Sequence, residues 1–277
     1  MIGSPVPFEE ALARHDVRRV MPTALSTAEI QRLPDAIRRS SFFSARTLLT
    51  DYLEQAKAAI RQVLNPQTAV RPPGDPREGE PYTEGLTIEQ ARANLREYLT
   101  SIGYEPNPDE AGTLKDLSSQ ARVDLVVRTN VGIAQGYGYW KQGQDPAILD
   151  EWPASELFRA EGRGRERDWP ERWLAAARAV GDTDAIAMLE QHDRMIARKD
   201  SPIWQALGDG AGGFEDDALH NPYPPFAFNS GMDVRDIDRA EAMDLGLLGR
   251  DDAIIPQSQD FAPQLAGDPG VTDPTLA

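Results

Sequence analysis

Residues 42–64, FFSARTLLTDYLEQAKAAIRQVL, place Leu48, Leu49, Tyr52, Leu53, Ala56, Ile60, Val63 and Leu64 at helical spacings. Apolar side chains three and four residues apart share one helix face, so the stretch predicts an amphipathic helix of about twenty residues. Asn65-Pro66 stops it, and the RPPGDPREGEPYTEG that follows reads as an exposed excursion or a segment that orders against a neighbour. Thr87 with Gln90 caps a second helix that runs through Leu95 and Leu99 to Ile102, with Gly103 as its left-handed closing residue. Thr113 is expected to open a third and longest helix, marked by Leu117, Val123, Val127, Val131 and Ala134. Three such helices need one another's apolar faces, which makes a helix bundle of residues 44–145.

Outward from that bundle the texture changes. Residues 1–43 are broken by Pro5, Pro7, Pro22 and Pro34 and read as an extended arm, either lying on a partner subunit or strapping the surface. Within it, Ser26 and Glu29 form a capping-box pattern for one brief helix. Residues 146–248 read as a small α+β region. Asp145-Pro146 restarts a short helix, Leu157 and Phe158 suggest a strand, and Pro170 begins a helix with Trp169 and Trp173 on one face. A helix near 182–192, a strand near 194–199 and a helix near 238–245 closed by Gly246 complete the region. Residues 249–277 carry five aspartates and four prolines and read as an acidic flexible tail. The fold class is therefore mainly α (α+β), with a bundle-like first half, a mixed second half and proline-rich arms.

Composition narrows the chemistry. The 277 residues contain no cysteine, which removes disulfides, thiolate nucleophiles and Cys-ligated metal sites together. A formal charge of −16 argues against a protein that coats nucleic acid by its mean field and suits solubility before assembly. No apolar run is long enough for a membrane span and no leader pattern opens the chain, so an intracellular protein is expected. Local arginines could still touch nucleic acid. Arg163, Arg165 and Arg167 are the candidates, although acids interleave them and the neighbouring Trp169 and Trp173 suit packing better than base stacking.

No catalytic, cofactor or metal constellation stands out. His15, His192 and His220 are far apart, and no nucleophile elbow supports a triad of His192, Asp193 and Ser230. Gly208–Gly213 lacks the lysine of a phosphate cradle and reads as a flexible connection. The pairs Glu9-Glu10, Asp216-Asp217 and Asp251-Asp252 read as solvated surface. An enzyme is not expected.

From Gln120 onward, ordered landmarks carry a resemblance. They are SSQARVDLVVRTNVGIAQGYGYW (118–140) with the polar Asn130 in mid-helix, RDWPERW (167–173), and RMIARKDSPIW (194–204) ending in Trp204. PPFAFN then gives Pro224, Pro225, Phe226, Phe228 and Asn229, followed by Ser230, Gly231 and Met232. This series resembles the phage Mu F-like family of minor head (head morphogenesis) proteins of tailed phages and prophages, over about 130 residues. The family's Cys-Arg-Cys is replaced by Ser230-Gly231-Met232, so no metal or redox role carries over.

What the resemblance implies is a low-copy structural component of the virion head, present in host cytoplasm during assembly. It implies contact with the portal protein or the major capsid protein in the capsid interior. An internal protein contacting packaged DNA is the first alternative, and a phage-encoded hydrolase or toxin-like enzyme the second. The Pro-Pro turn itself reads as a polyproline-like structural closing element, with Phe226 and Phe228 alternating between core and surface.

Overall fold

A computed structural model describes residues 8–258 except Pro72, Arg163 and Arg165. The chain forms two compact units, with the division between Gly138 and Tyr139. Helix accounts for 46% and strand for 11%, which makes the protein mainly α with small sheets. Among the described residues no helix is long and apolar enough to cross a membrane.

The first unit begins with α1 (Glu9–Asp16), β1 (Arg19–Val20), α2 (Thr27–Ile30), α3 (Asp35–Ser40) and β2 (Ser41–Phe42), with β1 and β2 pairing in parallel. Then come α4 (Thr50–Leu64), β3 (Gln67–Val70), β4 (Pro81–Glu84), α5 (Ile88–Ser101) and α6 (Gln120–Gln142), whose last turn passes the unit boundary. Its core joins Tyr52, Leu53, Ala56 and Ile60 of α4 to Leu95 and Leu99 of α5 and Val123, Val127 and Val131 of α6, as the apolar spacing requires. Both capping boxes form. Ser26 Oγ accepts from Glu29 N while Glu29 returns to the Ser26 N–H, and Thr87 and Gln90 do the same.

Three expectations change here. Residues 8–43 are not an extended arm: Ala11, His15 and Phe42 are buried, because the prolines fall between short elements rather than inside them. Residues 67–84 form an antiparallel hairpin, with Gln67 opposite Glu84 and Val70 opposite Pro81. The third helix starts at Gln120 rather than Thr113. Asp116 accepts from the Gly112 and Ser118 amides and Ser119 Oγ accepts from Arg122 N, which fixes residues 112–119 as a turn.

The second unit takes up α7 (Pro146–Glu151), β5 (Ala154–Arg159), α8 (Trp169–Val180), α9 (Thr183–His192), β6 (Met195–Arg198), α10 (Ile203–Gly208), β7 (Met232–Ile237) and α11 (Arg239–Asp244). Its sheet has the order β6-β5-β7 and is antiparallel throughout, with Glu156 opposite Ile196 on one side and Arg235 on the other. Alternation along β5 sends Leu157 into a core with Trp173, Ile203, Trp204 and Phe226, and Ala154 into a second core with Met188, Ile196 and Ala242. Aspartates 145, 168, 182 and 238 cap α7, α8, α9 and α11, each accepting a backbone N–H of the first turn.

Residues 249–258, expected as the start of a flexible tail, are held in place. Ile254 is buried, Ile255 N donates to Asp200 Oδ2 (3.1 Å) and Gln257 N donates to Gln144 Oε1 (2.7 Å). The remainder of that tail, 259–277, and residues 1–7 of the expected arm lie outside the described residues.

Candidate functional site

The signature residues of the second unit meet in one aromatic cluster. Trp204, on the short α10, lies edge-on to Trp173 of α8 at 5.4 Å and stacks over Phe226 at 6.1 Å. Both indoles are satisfied: Trp204 Nε1 donates to Arg198 O and Trp173 Nε1 to Ala185 O, each at 2.9 Å. Buried indole N–H groups without such partners would be costly, so these two bonds fix where the rings can sit. Phe226 is fully buried and Phe228 half-buried, while Asn229 is exposed with φ 53°. The alternation expected of the two phenylalanines therefore has Phe226 as the core member.

The Pro224–Pro225 peptide is cis, in place of the polyproline-like turn that was expected. Either side of it the chain returns on itself. Ala218 pairs with Ala227, Leu219 N donates to Phe226 O (3.0 Å) and Phe228 N to Asp217 O (2.9 Å). Gly208–Gly213 is also not a loose connection. A Cβ on Gly208 would stand 1.9 Å from Asn221 O, and His220 N donates to Gly208 O at 2.8 Å. Glycine at 208 lets two backbones touch, and no other residue fits there.

Around the cluster runs a charged seam. Arg172 donates both terminal nitrogens to Asp217 (2.8 and 3.0 Å), and its guanidinium lies 5.3 Å from the Trp169 ring and 4.7 Å from the Phe214 ring. Arg167 pairs with the same Asp217 at 2.9 Å and donates to Phe228 O at 2.6 Å. Asp217, read from sequence as solvated surface, is thus the shared anchor of two arginines, Arg172 tying α8 to the segment before the Pro-Pro turn and Arg167, just ahead of α8, also reaching Phe228 after it. Of the three arginines proposed for nucleic acid, Arg167 is engaged in these contacts, and Arg163 and Arg165 lie outside the described residues.

A second charged group sits on the sheet. Glu156, 7% exposed, accepts two bonds from Arg194 (3.1 and 2.6 Å) and two from Arg235 (2.9 and 2.7 Å), and Arg194 also reaches Glu241 at 2.7 Å. Burial raises the Glu156 carboxyl, but the hydrogen bonds and charges of Arg194 and Arg235 outweigh it and leave the group below its ordinary value. Arg194 is raised in return, first by Glu156. Sequence reading missed this trio, because its members stand 38 and 79 residues apart and meet only through strand register.

Asn130 belongs to the first unit and is a buried joint there. Its Oδ1 accepts from Arg18 (2.5 Å) and its Nδ2 donates to Val126 O (2.8 Å), while Arg18 Nε donates to Ser41 O (2.8 Å). Of the paper triad, Ser230 Oγ accepts from Met232 N, and His192 and Asp193 close α9, where Asp193 adopts the left-handed conformation. Among the described residues, no three His, Cys, Asp or Glu side chains cluster as metal ligands.

No protein-family model, no curated protein and no solved structure matches this chain.

Proposed function

We propose that this chain is a structural minor head protein of a tailed phage or prophage, of the Mu F-like kind, acting in head morphogenesis. The observation that carries the reading is how the signature residues are used. Trp204 stacks on Phe226 and gives its N–H to Arg198 O, Pro225 O accepts from Asn221, and Arg167 is held by Asp217 and by Phe228 O. Such a closed knot supports a scaffold role over one in turnover, where polar groups converge on an open cleft.

The contact elements in this reading are the proline-bearing ends of the chain and the 67–84 hairpin. The two strands of that hairpin pair only with each other among the described strands, and Val70 is 65% exposed. A lone two-stranded ribbon gains little stability by itself, which suits a segment that is completed by a neighbour. The partner is the portal protein, with the major capsid protein as the other surface within reach in a head.

Co-expression with a portal protein from the same genome, followed by size-exclusion chromatography, tests the assignment. Co-elution is expected, and deletion of residues 71–80 should weaken it while leaving the helical content unchanged. Separate elution of intact chain and portal would remove the portal role. Salt-sensitive retention on DNA instead, lost on replacing Arg163 and Arg165 by Ala, would favour the internal DNA-contacting reading.

A further inference from the structure

Past α11 the second unit continues as residues 250–258, which form neither helix nor strand and are held by their main chain. Arg239 Nη1 donates to Arg250 O (3.5 Å) and Asp252 O (3.1 Å), and Arg198 Nη2 donates to Ala253 O (3.3 Å). Ile255 N donates to Asp200 Oδ2 (3.1 Å) and Gln257 N to the buried Gln144 at Oε1 (2.7 Å). Both arginines are set in place by a carboxylate first. Asp200 takes Nε and Nη2 of Arg198 (3.0 and 2.9 Å), and Asp150 takes Nη2 of Arg239 at Oδ1 (2.9 Å) and Nε at its carbonyl (2.6 Å). Each guanidinium therefore aims its remaining N–H capacity at a fixed place on the strap.

The strap is read as an extended chain. The amides it uses, at 255 and 257, stand two residues apart, the spacing of one edge of a strand, and its side chains alternate: Ile254 is buried and Ile255 is 68% exposed. From 250 to 258 Ile254 is the one buried side chain. Main-chain bonds that accept any sequence, joined to one socket that selects a residue, are the chemistry by which proteins bind extended peptides.

We infer that Gln144, Arg198, Asp200 and Arg239 form a binding groove for an extended peptide carrying one branched aliphatic residue, and that residues 250–257 are its built-in, releasable occupant. Release is local because it uncovers one apolar side chain and breaks bonds to side chains at the surface. It stops at Gly249, since Leu247 and Leu248 lie in the core with Met188, Ile196 and Ala242. A segment of the same chemistry, supplied in trans, competes with the strap for the same donors and acceptors. The inference stands apart from the head-protein reading and does not depend on it.

The test uses the full-length chain and a fluorescently labelled peptide of residues 250–258, RDDAIIPQS, with binding followed by anisotropy. Ile254→Asp in the full chain should release the strap, leave the far-ultraviolet circular dichroism and tryptophan emission unchanged, and let the groove take the peptide. Wild-type chain should bind it at least about tenfold more weakly, because its tethered strap competes at high effective concentration. A peptide carrying Ile254→Asp should not bind, and Asp200→Ala added to the Ile254→Asp chain should abolish binding. Hydrogen exchange on the wild-type chain gives a second reading that needs no variant. The amides of Ile255 and Gln257 should exchange more slowly than in the free peptide and at least about tenfold faster than the most protected amides of β5. A folded Ile254→Asp chain that ignores the wild-type peptide, or binds both peptides alike, would overturn the inference. So would Ile255 and Gln257 amides that exchange as slowly as those of β5, or as fast as in the free peptide.

Discussion

The two units solve the problem of buried polar groups in opposite ways. In residues 1–138, sixteen Lys and Arg face eighteen Asp and Glu, whereas in 139–258 thirteen face twenty-four. The near-neutral first unit buries its cations against neutral acceptors, as Arg18 does on Asn130 and Ser41 and Arg122 on Ser44 and Ala45. The acidic second unit pairs its arginines with carboxylates, at Glu156, Asp200 and Asp217. Ion pairs answer to acid and hydrogen bonds to neutral groups do not, so the two units should respond differently to pH. All five tryptophans lie in the second unit, Trp140 in the last turn of α6 and the other four beyond that helix, so their fluorescence follows mainly the second unit.

The largest expected effect separates the units outright. Phe226→Ala should cost about 3–5 kcal/mol, since it empties a fully buried ring site beneath Trp204. Urea melts followed by tryptophan fluorescence should shift to much lower urea, while the transition of the first unit stays put; a shared shift would show that the units melt as one.

Acid gives the second contrast. Burial, chiefly, lowers His15 from 6.5 to about 4, opposed by its bond to Lys57 O and helped by the Arg18 and Lys57 charges. A depressed folded value means the unfolded chain binds the proton first, so stability is complete above pH 6.5 and drains away as pH falls toward 4. Between pH 7 and pH 5 the first unit should lose about 2 kcal/mol, and His15→Gln should flatten that slope. Glu156 and Asp200 are also below their ordinary values, so their contribution is present above the usual carboxylate range and goes only below pH of about 4. Tryptophan-detected stability that fell in parallel with the first unit between pH 7 and 5 would break the contrast.

Smaller effects sharpen it further. Asp217→Ala leaves Arg167 and Arg172 without their carboxylate and should cost the second unit about 1–2 kcal/mol, less at high salt. Phe228→Ala, at a half-buried ring, should cost under about 1 kcal/mol in the same fluorescence-detected melts. A Phe228 effect as large as that of Phe226 would mean the turn packs the other way round.

Much of this architecture was readable, and the particulars say why. Capping is local chemistry, so Ser26 with Glu29 and Thr87 with Gln90 announced helices that the structure contains. Trp169 and Trp173, four residues apart about the helix-starting Pro170, announced the buried face of α8. Long-range pairing was not legible. Asp217 looked like one more surface acid until a chain reversal of 45 residues brought it to Arg172. Gly208 looked like slack, and only the nearby Asn221 backbone explains it. Thr113 and Leu117 fitted the start of a helical pattern, yet the Asp116 side chain captures the local amides first and delays α6. At the candidate site, the residue types were visible and their use as an internal lock was not.

The central claim is that this chain is a component of an assembled head. Quantitative mass spectrometry of any phage heads released on induction of the strain that carries the gene measures that directly. A head protein of this kind should be found in purified heads at a small fraction of the copy number of the major capsid protein, and its absence from them would contradict the head-protein proposal.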